Sequence, residues 1–225
     1  MKRGLYLAAA AACIAGFAGT LYLIFYVTPI DRLLLFNQKI FYYHVANAIV
    51  LFVAVITCGV ASLLYLRSRQ GRHDDLARAA AELAVLFGAV ALLTGSIWGK
   101  AAWGIWWDWD ARQTTTLLLW MTVLGYVLVR QYGGPGSERM AAGLGVFAMV
   151  NIPLVYFSVK IWRTLHPQTS VVPGLRGSMA GSMWASVALF ALFFVLAVGA
   201  RSQLGQGERR LAELREKALD AGIIE

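Results

Sequence analysis

The chain has 225 residues, 59% of them hydrophobic and only 14% charged, with a formal net charge of +8 and a mean hydropathy of +0.63. A soluble domain of this length carries roughly 45–50% apolar and about 25% charged residues, so the composition excludes an ordinary globule and fits a protein dissolved in lipid. The two cysteines, Cys13 and Cys58, stand alone in apolar runs, which leaves no disulfide framework, zinc site or C-x-x-C-H attachment signature.

In chain order, the apolar runs predict an all-α, polytopic membrane protein with six transmembrane helices. The first covers about residues 5–27 and is closed by Pro29; the second covers 41–66 and precedes a charged stretch from Arg67 to Arg78. The third covers 79–97 with Glu82 near its start. The fourth, 114–129, is the shortest and ends before Gly133-Gly134-Pro135-Gly136; the fifth covers 140–162 and the sixth 179–200. Each is long enough, or nearly so, to cross a hydrocarbon core of roughly 30 Å at about 1.5 Å per helical residue. Residues 1–200 thus form a single six-helix integral membrane domain. Residues 201–225, with Leu211, Leu214 and Leu219 among alternating charges, read as a short exposed amphipathic helix in a cytoplasmic C-terminal tail. Lys2 and Arg3 before an apolar run resemble the start of a signal peptide, but the run extends through Val27 and reads as an uncleaved first helix.

Lys and Arg retained on the cytoplasmic side set the orientation. With the N-terminus inside, 13 of the 20 Lys and Arg fall on that side, including Lys2 and Arg3, and 7 on the other. Both termini are therefore expected to be cytoplasmic, in a bacterial inner membrane. The seven outer cations face only Asp31, Asp108 and Asp110, a surplus that suits an anionic ligand.

Between the third and fourth spans, on that outer face, Trp98, Trp103, Trp106, Trp107 and Trp109 place five of the chain's eight tryptophans within twelve residues. Indoles favour the headgroup region, but an anchoring belt spreads them over many helix ends, as Trp120, Trp162 and Trp184 are spread. If segment 98–112 is helical from Trp103, then Trp103, Trp106, Trp107 and Asp110 recur on one face as an amphipathic aromatic shelf. Asp108 and Arg112 would pair across one turn of that helix. Such a shelf beside Lys100 and Arg112 suits a planar macrocycle with carboxylates, and haem is such a molecule. His44, at the start of the second span, and His166, after the fifth, fall on the same side. Each alone reads as an interfacial residue; together they form a candidate pair of axial ligands to haem iron. Arg112 and Arg163 are the candidate propionate partners, while Lys160, Arg176, Arg32 and Lys39 are left open between lipid phosphate and ligand. His73, among Arg72, Asp74 and Asp75, reads as solvated charge. Asn47, Asn151 and Pro153 read as packing features.

The run from Trp98 to Arg112, Trp-Gly-x-x-x-Trp-Gly-x-Trp-Trp-x-Trp-Asp-Ala-Arg, closely resembles the WWD signature of haem-handling proteins in cytochrome c biogenesis. With six spans and one outer histidine on each side of the motif, residues 20–200 are similar to the haem exporter protein C (CcmC) family. That resemblance implies haem b as a transient ligand, held by His44 and His166 and presented to a periplasmic, membrane-anchored haem chaperone of the CcmE type. It further implies an ABC-type complex with CcmA- and CcmB-type subunits and a small CcmD-type membrane subunit. The sequence carries no nucleotide loop G-x-x-x-x-G-K-[ST] and no nucleophile–base pair, so haem delivery is expected without an ATPase site or enzymatic chemistry of the chain's own. The alternatives are a quinol-linked b-type electron-transfer protein and a component of a cytochrome c synthase. The absence of mid-membrane histidines argues against the synthase.

Overall fold

The computed structural model describes residues 3–32 and 34–223, and within them the regular structure is helical. Lys2, counted above for orientation, lies outside the described residues, as do the side chain of Arg3 and the last two residues of the tail. Backbone groups in lipid have no water to bond, so runs of this apolarity satisfy them within helices. The order is α1 (Arg3–Tyr22), α2 (Lys39–Ser68), α3 (Gly71–Trp103), α4 (Ala111–Tyr132), α5 (Ser137–Ile161), α6 (Val171–Gly174) and α7 (Gly177–Asp220).

Five segments are long and apolar enough to cross a membrane: Gly4–Val27, Phe36–Ser68, Gly71–Trp103, Ser137–Ile161 and Gly177–Asp220. The fourth helix, expected as the fourth of six spans, has 22 residues, about 33 Å at 1.5 Å per residue. Its start is polar, with Arg112, Gln113, Thr114, Thr115 and Thr116, and it falls outside that apolar set. Thr115 and Thr116 return their hydroxyls to the carbonyls of Ala111 and Arg112 at 2.7 Å each.

The second helix lies against α3, α5 and α7; α4 sits between α3 and α5, and α1 packs on α7. Small residues set the closest approaches, as expected of helices packing in lipid. A Cβ on Gly59 would collide with the side chain of Met149, and one on Gly145 would stand 2.5 Å from Ser62 Oγ, so each glycine takes in a side chain of the facing helix where α2 and α5 meet. The buried core is apolar around Leu51, Val55, Phe87, Leu119 and Tyr126. Ile14, Leu93, Phe147, Val150 and Val195 face outward, an apolar exterior suited to acyl chains.

One feature completes the first span at its expected end, and another corrects an expected boundary. The first helix ends in a π-helical turn, Leu23–Val27, and the buried Lys39 donates to the freed carbonyls of Ile24 and Thr28 at 2.7 and 2.5 Å. Lys39 therefore closes a helix end rather than meeting a ligand. The short separate amphipathic helix expected in residues 201–225 is instead the uninterrupted continuation of α7, which runs 44 residues. It is held along α3 by Arg201–Glu82 (2.6 Å) and Arg209–Asp75. Gly199, Gly205 and Gly207 all stay helical within it, and with no proline in the run the contacts to α3 carry the helix past the point where the lipid-suited sequence ends.

Candidate functional site

His44 sits in the second turn of α2, beside α3. Its Nδ1 lies 2.9 Å from Thr94 Oγ1, and the Thr94 hydroxyl donates to the Val90 carbonyl at 2.6 Å. A hydroxyl has one proton. With that proton on Val90, Nδ1–H of His44 is the donor and Nε2 keeps its lone pair. Gly95 makes room for this ring: a Cβ there would stand 3.1 Å from His44 Cε1. The buried Trp98 indole lies 6.3 Å from the imidazole, tilted 38°.

The helix carrying Trp98 stops sooner than the expected shelf requires. Gly104 adopts the left-handed conformation (φ 77°) and its N–H bonds the Lys100 carbonyl at 3.1 Å, while Lys100 Nζ donates to the Gly104 carbonyl at 2.9 Å. Glycine is the residue that takes this conformation without steric cost, and it ends helices for that reason. Residues 104–110 are therefore loop, and the helical face of Trp103, Trp106, Trp107 and Asp110 does not form. Trp98, Trp103 and Trp107 line the cavity described below; Trp106 and Trp109 do not, being 56% and 72% exposed. Trp109 packs edge-on against Trp107 at 5.6 Å. The expected Asp108–Arg112 pair is also absent among the described residues, because Asp108 precedes the helix. Its N–H points to Gln113 Oε1 (3.4 Å), and Arg112 Nη2 donates to the Tyr156 carbonyl (3.3 Å).

Asp110 starts α4. One carboxylate oxygen accepts from Arg112 N at 2.8 Å as an N-cap, and the other accepts from Leu165 N at 2.9 Å. This places the loop of residues 162–170 beside the tryptophan loop. There His166 Nδ1 stands 2.9 Å from the Pro167 carbonyl. A carbonyl can only accept, so Nδ1 of His166 is also protonated and its Nε2 is free. Burial first, and then the positive charge of Arg112, push the His166 pKa below the ordinary 6.5, against the opposing pull of the Pro167 carbonyl and Asp110. Its imidazole is neutral at neutral pH, the form that ligates a metal.

Both histidines line one cavity of about 360 Å³. Its walls near the bundle end are Trp98, Trp103, Trp107 and Arg112; its deeper part is Ala48, Ile49, Phe52, Ala91 and Leu92. Trp98 Nε1, Trp107 Nε1 and Arg112 Nε are buried donors with no partner among the described residues. Native interiors leave few such groups unpaired, and three around one cavity call for an acceptor-bearing ligand. The site therefore offers an apolar lining, two open imidazole nitrogens and unpaired donors to a largely apolar ligand that brings acceptors. Arg163, expected near such carboxylates, is exposed and does not line the cavity; Lys160 instead lies over the Phe157 ring at 5.6 Å. His73 bonds Ser68 Oγ at 2.9 Å, away from the site.

Thr94, Gly95 and Tyr156 were not legible as site residues in the sequence. The one available signal was Thr94-Gly95, a polar and a small residue inside an apolar run. A start signal for α4 was present: Asp110 with Gln113 three residues on resembles the capping pattern.

The sequence model described as heme exporter protein C matches residues 1–218. A heme exporter protein C of Bradyrhizobium diazoefficiens is 37% identical over 163 residues, covering 70% of this chain and 61% of that protein. A putative cytochrome c biosynthesis ccmC-like mitochondrial protein of Marchantia polymorpha is 34% identical over 180 residues, 80% of this chain and 77% of its own. The heme exporter protein C of Escherichia coli K12 is 33% identical over 162 residues, 69% and 66%. The chain thus spans about three fifths to three quarters of the length of these relatives.

Proposed function

The chain belongs to the heme exporter protein C family, and from that premise we propose that it binds haem b at the outer face of the bacterial inner membrane and delivers it for cytochrome c maturation. Haem is cargo in this reading. His44 and His166 ligate its iron through Nε2, Trp98, Trp103 and Trp107 line its faces, and Arg112 with the two buried indole N–H groups receives propionate. The observation that carries the proposal is the meeting of two imidazoles from distant segments across one cavity, each with Nδ1 engaged and Nε2 open.

The acceptor is a membrane-anchored periplasmic chaperone of the CcmE type. Trp106 and Trp109, exposed beside the cavity, are the surface it meets. The chain supplies binding and orientation while the bond-forming chemistry stays with haem and chaperone. ATP hydrolysis belongs to another subunit of an ABC-type complex, which has CcmA- and CcmB-type partners with a CcmD-type small subunit alongside. In this arrangement α4 is the fourth of six spans, both termini are cytoplasmic, and the charged continuation of α7 beyond residue 200 projects into the cytoplasm.

The purified protein titrated with haemin should show a stoichiometric Soret band of low-spin, six-coordinate haem. A protein that stays spectrally silent at saturating haemin would overturn the proposal. For delivery, Trp106→Ala with Trp109→Ala should keep that band and slow loading of the chaperone; loading at the wild-type rate would remove the exposed indoles from the partner surface.

A further inference from the structure

The two histidines are held very differently. His44 belongs to a helix whose neighbouring side chains Tyr42 and Ala46 are fully buried, and Thr94 braces its ring from α3. His166 lies in a non-helical loop. That loop is tied to the tryptophan segment by Asp110 accepting from Leu165 N, and to its own helix by Gln168 donating to Val159 O at 3.2 Å. The residue before the tie, Trp109, has φ 49°, a conformation that side chains other than glycine adopt at a cost and that persists where its surroundings impose it. The carboxylate it positions joins two segments 55 residues apart.

We propose that Asp110 is a positioning residue, a clasp that holds His166 over the cavity. The proposal rests on the haem reading above for its consequence, but the clasp is a property of the chain alone. Its two oxygens have separate tasks: one caps α4 and the other holds the loop. Asparagine has a single acceptor oxygen and caps helices as well as aspartate does. D110N therefore keeps the start of α4 and leaves Leu165 N without its acceptor. D110S, which also caps, is too short to reach the loop and serves as the second variant.

Two measurements test this. In the ligand-free protein, hydrogen–deuterium exchange across residues 162–170 should rise about tenfold or more in D110N and D110S, a loss of about 1.4 kcal/mol of protection, with residues 90–98 and 111–115 unchanged. Unchanged exchange in the loop would overturn the clasp. In the haemin-loaded protein, both variants should lose the six-coordinate low-spin spectrum as His166→Ala does, and added imidazole should restore it in all three. A wild-type spectrum in D110N and D110S beside an altered one in His166→Ala would overturn the proposal. So would a shifted spectrum that imidazole cannot rescue, because Asp110 would then act on haem directly. If loop exchange rises while His166→Ala itself keeps the wild-type spectrum, the ligand assignment falls and the clasp stands.

Discussion

The two ends of the helix bundle treat charge in opposite ways. Away from the cavity, Arg130 pairs with Asp74 at 2.6 Å, Arg201 with Glu82 at 2.6 Å, Arg78 with Glu82 at 3.1 Å, and Arg209 with Asp75. At the cavity end, Lys100, Arg112, Lys160, Arg163 and Arg176 have no carboxylate partner among the described residues, and buried N–H donors stand unpaired beside two open imidazole nitrogens. One end pairs its cations with the chain's own carboxylates. The other leaves its cations and cavity-facing donors open to a ligand that brings acceptors.

The largest effect should come from the paired end. Arg130 and Asp74 are only 13% and 11% exposed, so Asp74→Ala leaves a buried guanidinium with its main partner gone. Losing one member of a buried pair costs about 3–5 kcal/mol. A fall in thermal midpoint of that size, with an unchanged haem spectrum in the folded fraction, would keep the two ends independent; a changed spectrum would couple them. Next is Arg112→Leu at the open end, which should weaken haem by about 1.5–3 kcal/mol, the worth of a charge-assisted hydrogen bond, with a smaller change in stability. Binding by titration and melting of the ligand-free protein separate the two, and equal losses would make Arg112 a structural residue.

Smaller still is Gly95→Ala. The added Cβ, 3.1 Å from His44 Cε1, forces the ring aside at about 0.5–1.5 kcal/mol, the cost of an off-rotamer side chain, read as weaker haem affinity. The least is a pH effect. His166 has its pKa depressed below 6.5, so the folded loop binds fewer protons than the unfolded chain in that range. Its contribution is intact above the ordinary histidine value and is lost as pH falls below it. A loop protection factor, taken relative to the intrinsic exchange rate at each pH, that stays flat from neutral pH down through the titration of His166 would contradict this.

The long apolar runs made helices legible, and with them the all-helical fold. The break at Gly104 was harder to see, because tryptophan spacing of i, i+3 and i+4 mimics a helical face while a single glycine in the left-handed conformation decides the backbone. The length of α7 was hidden for a similar reason: near Ala200 the composition changes from apolar to charged and Gly199, Gly205 and Gly207 lower helix propensity, but Glu82 and Asp75 on α3 hold the continuation. His44 and His166 were legible as residues on one side. Their orientation was not, since it depends on Thr94 and Pro167, whose roles emerge only when distant segments are folded together.

The central claim is that two imidazoles meet one ligand through Nε2, and the most direct measurement is the haem spectrum of His44→Ala and His166→Ala beside the wild type. The account predicts that His166→Ala retains haem as a five-coordinate form and that His44→Ala, which removes the braced ligand, loses most of it. Added imidazole should restore the six-coordinate band in His166→Ala. Wild-type spectra and affinities in both variants would contradict the account.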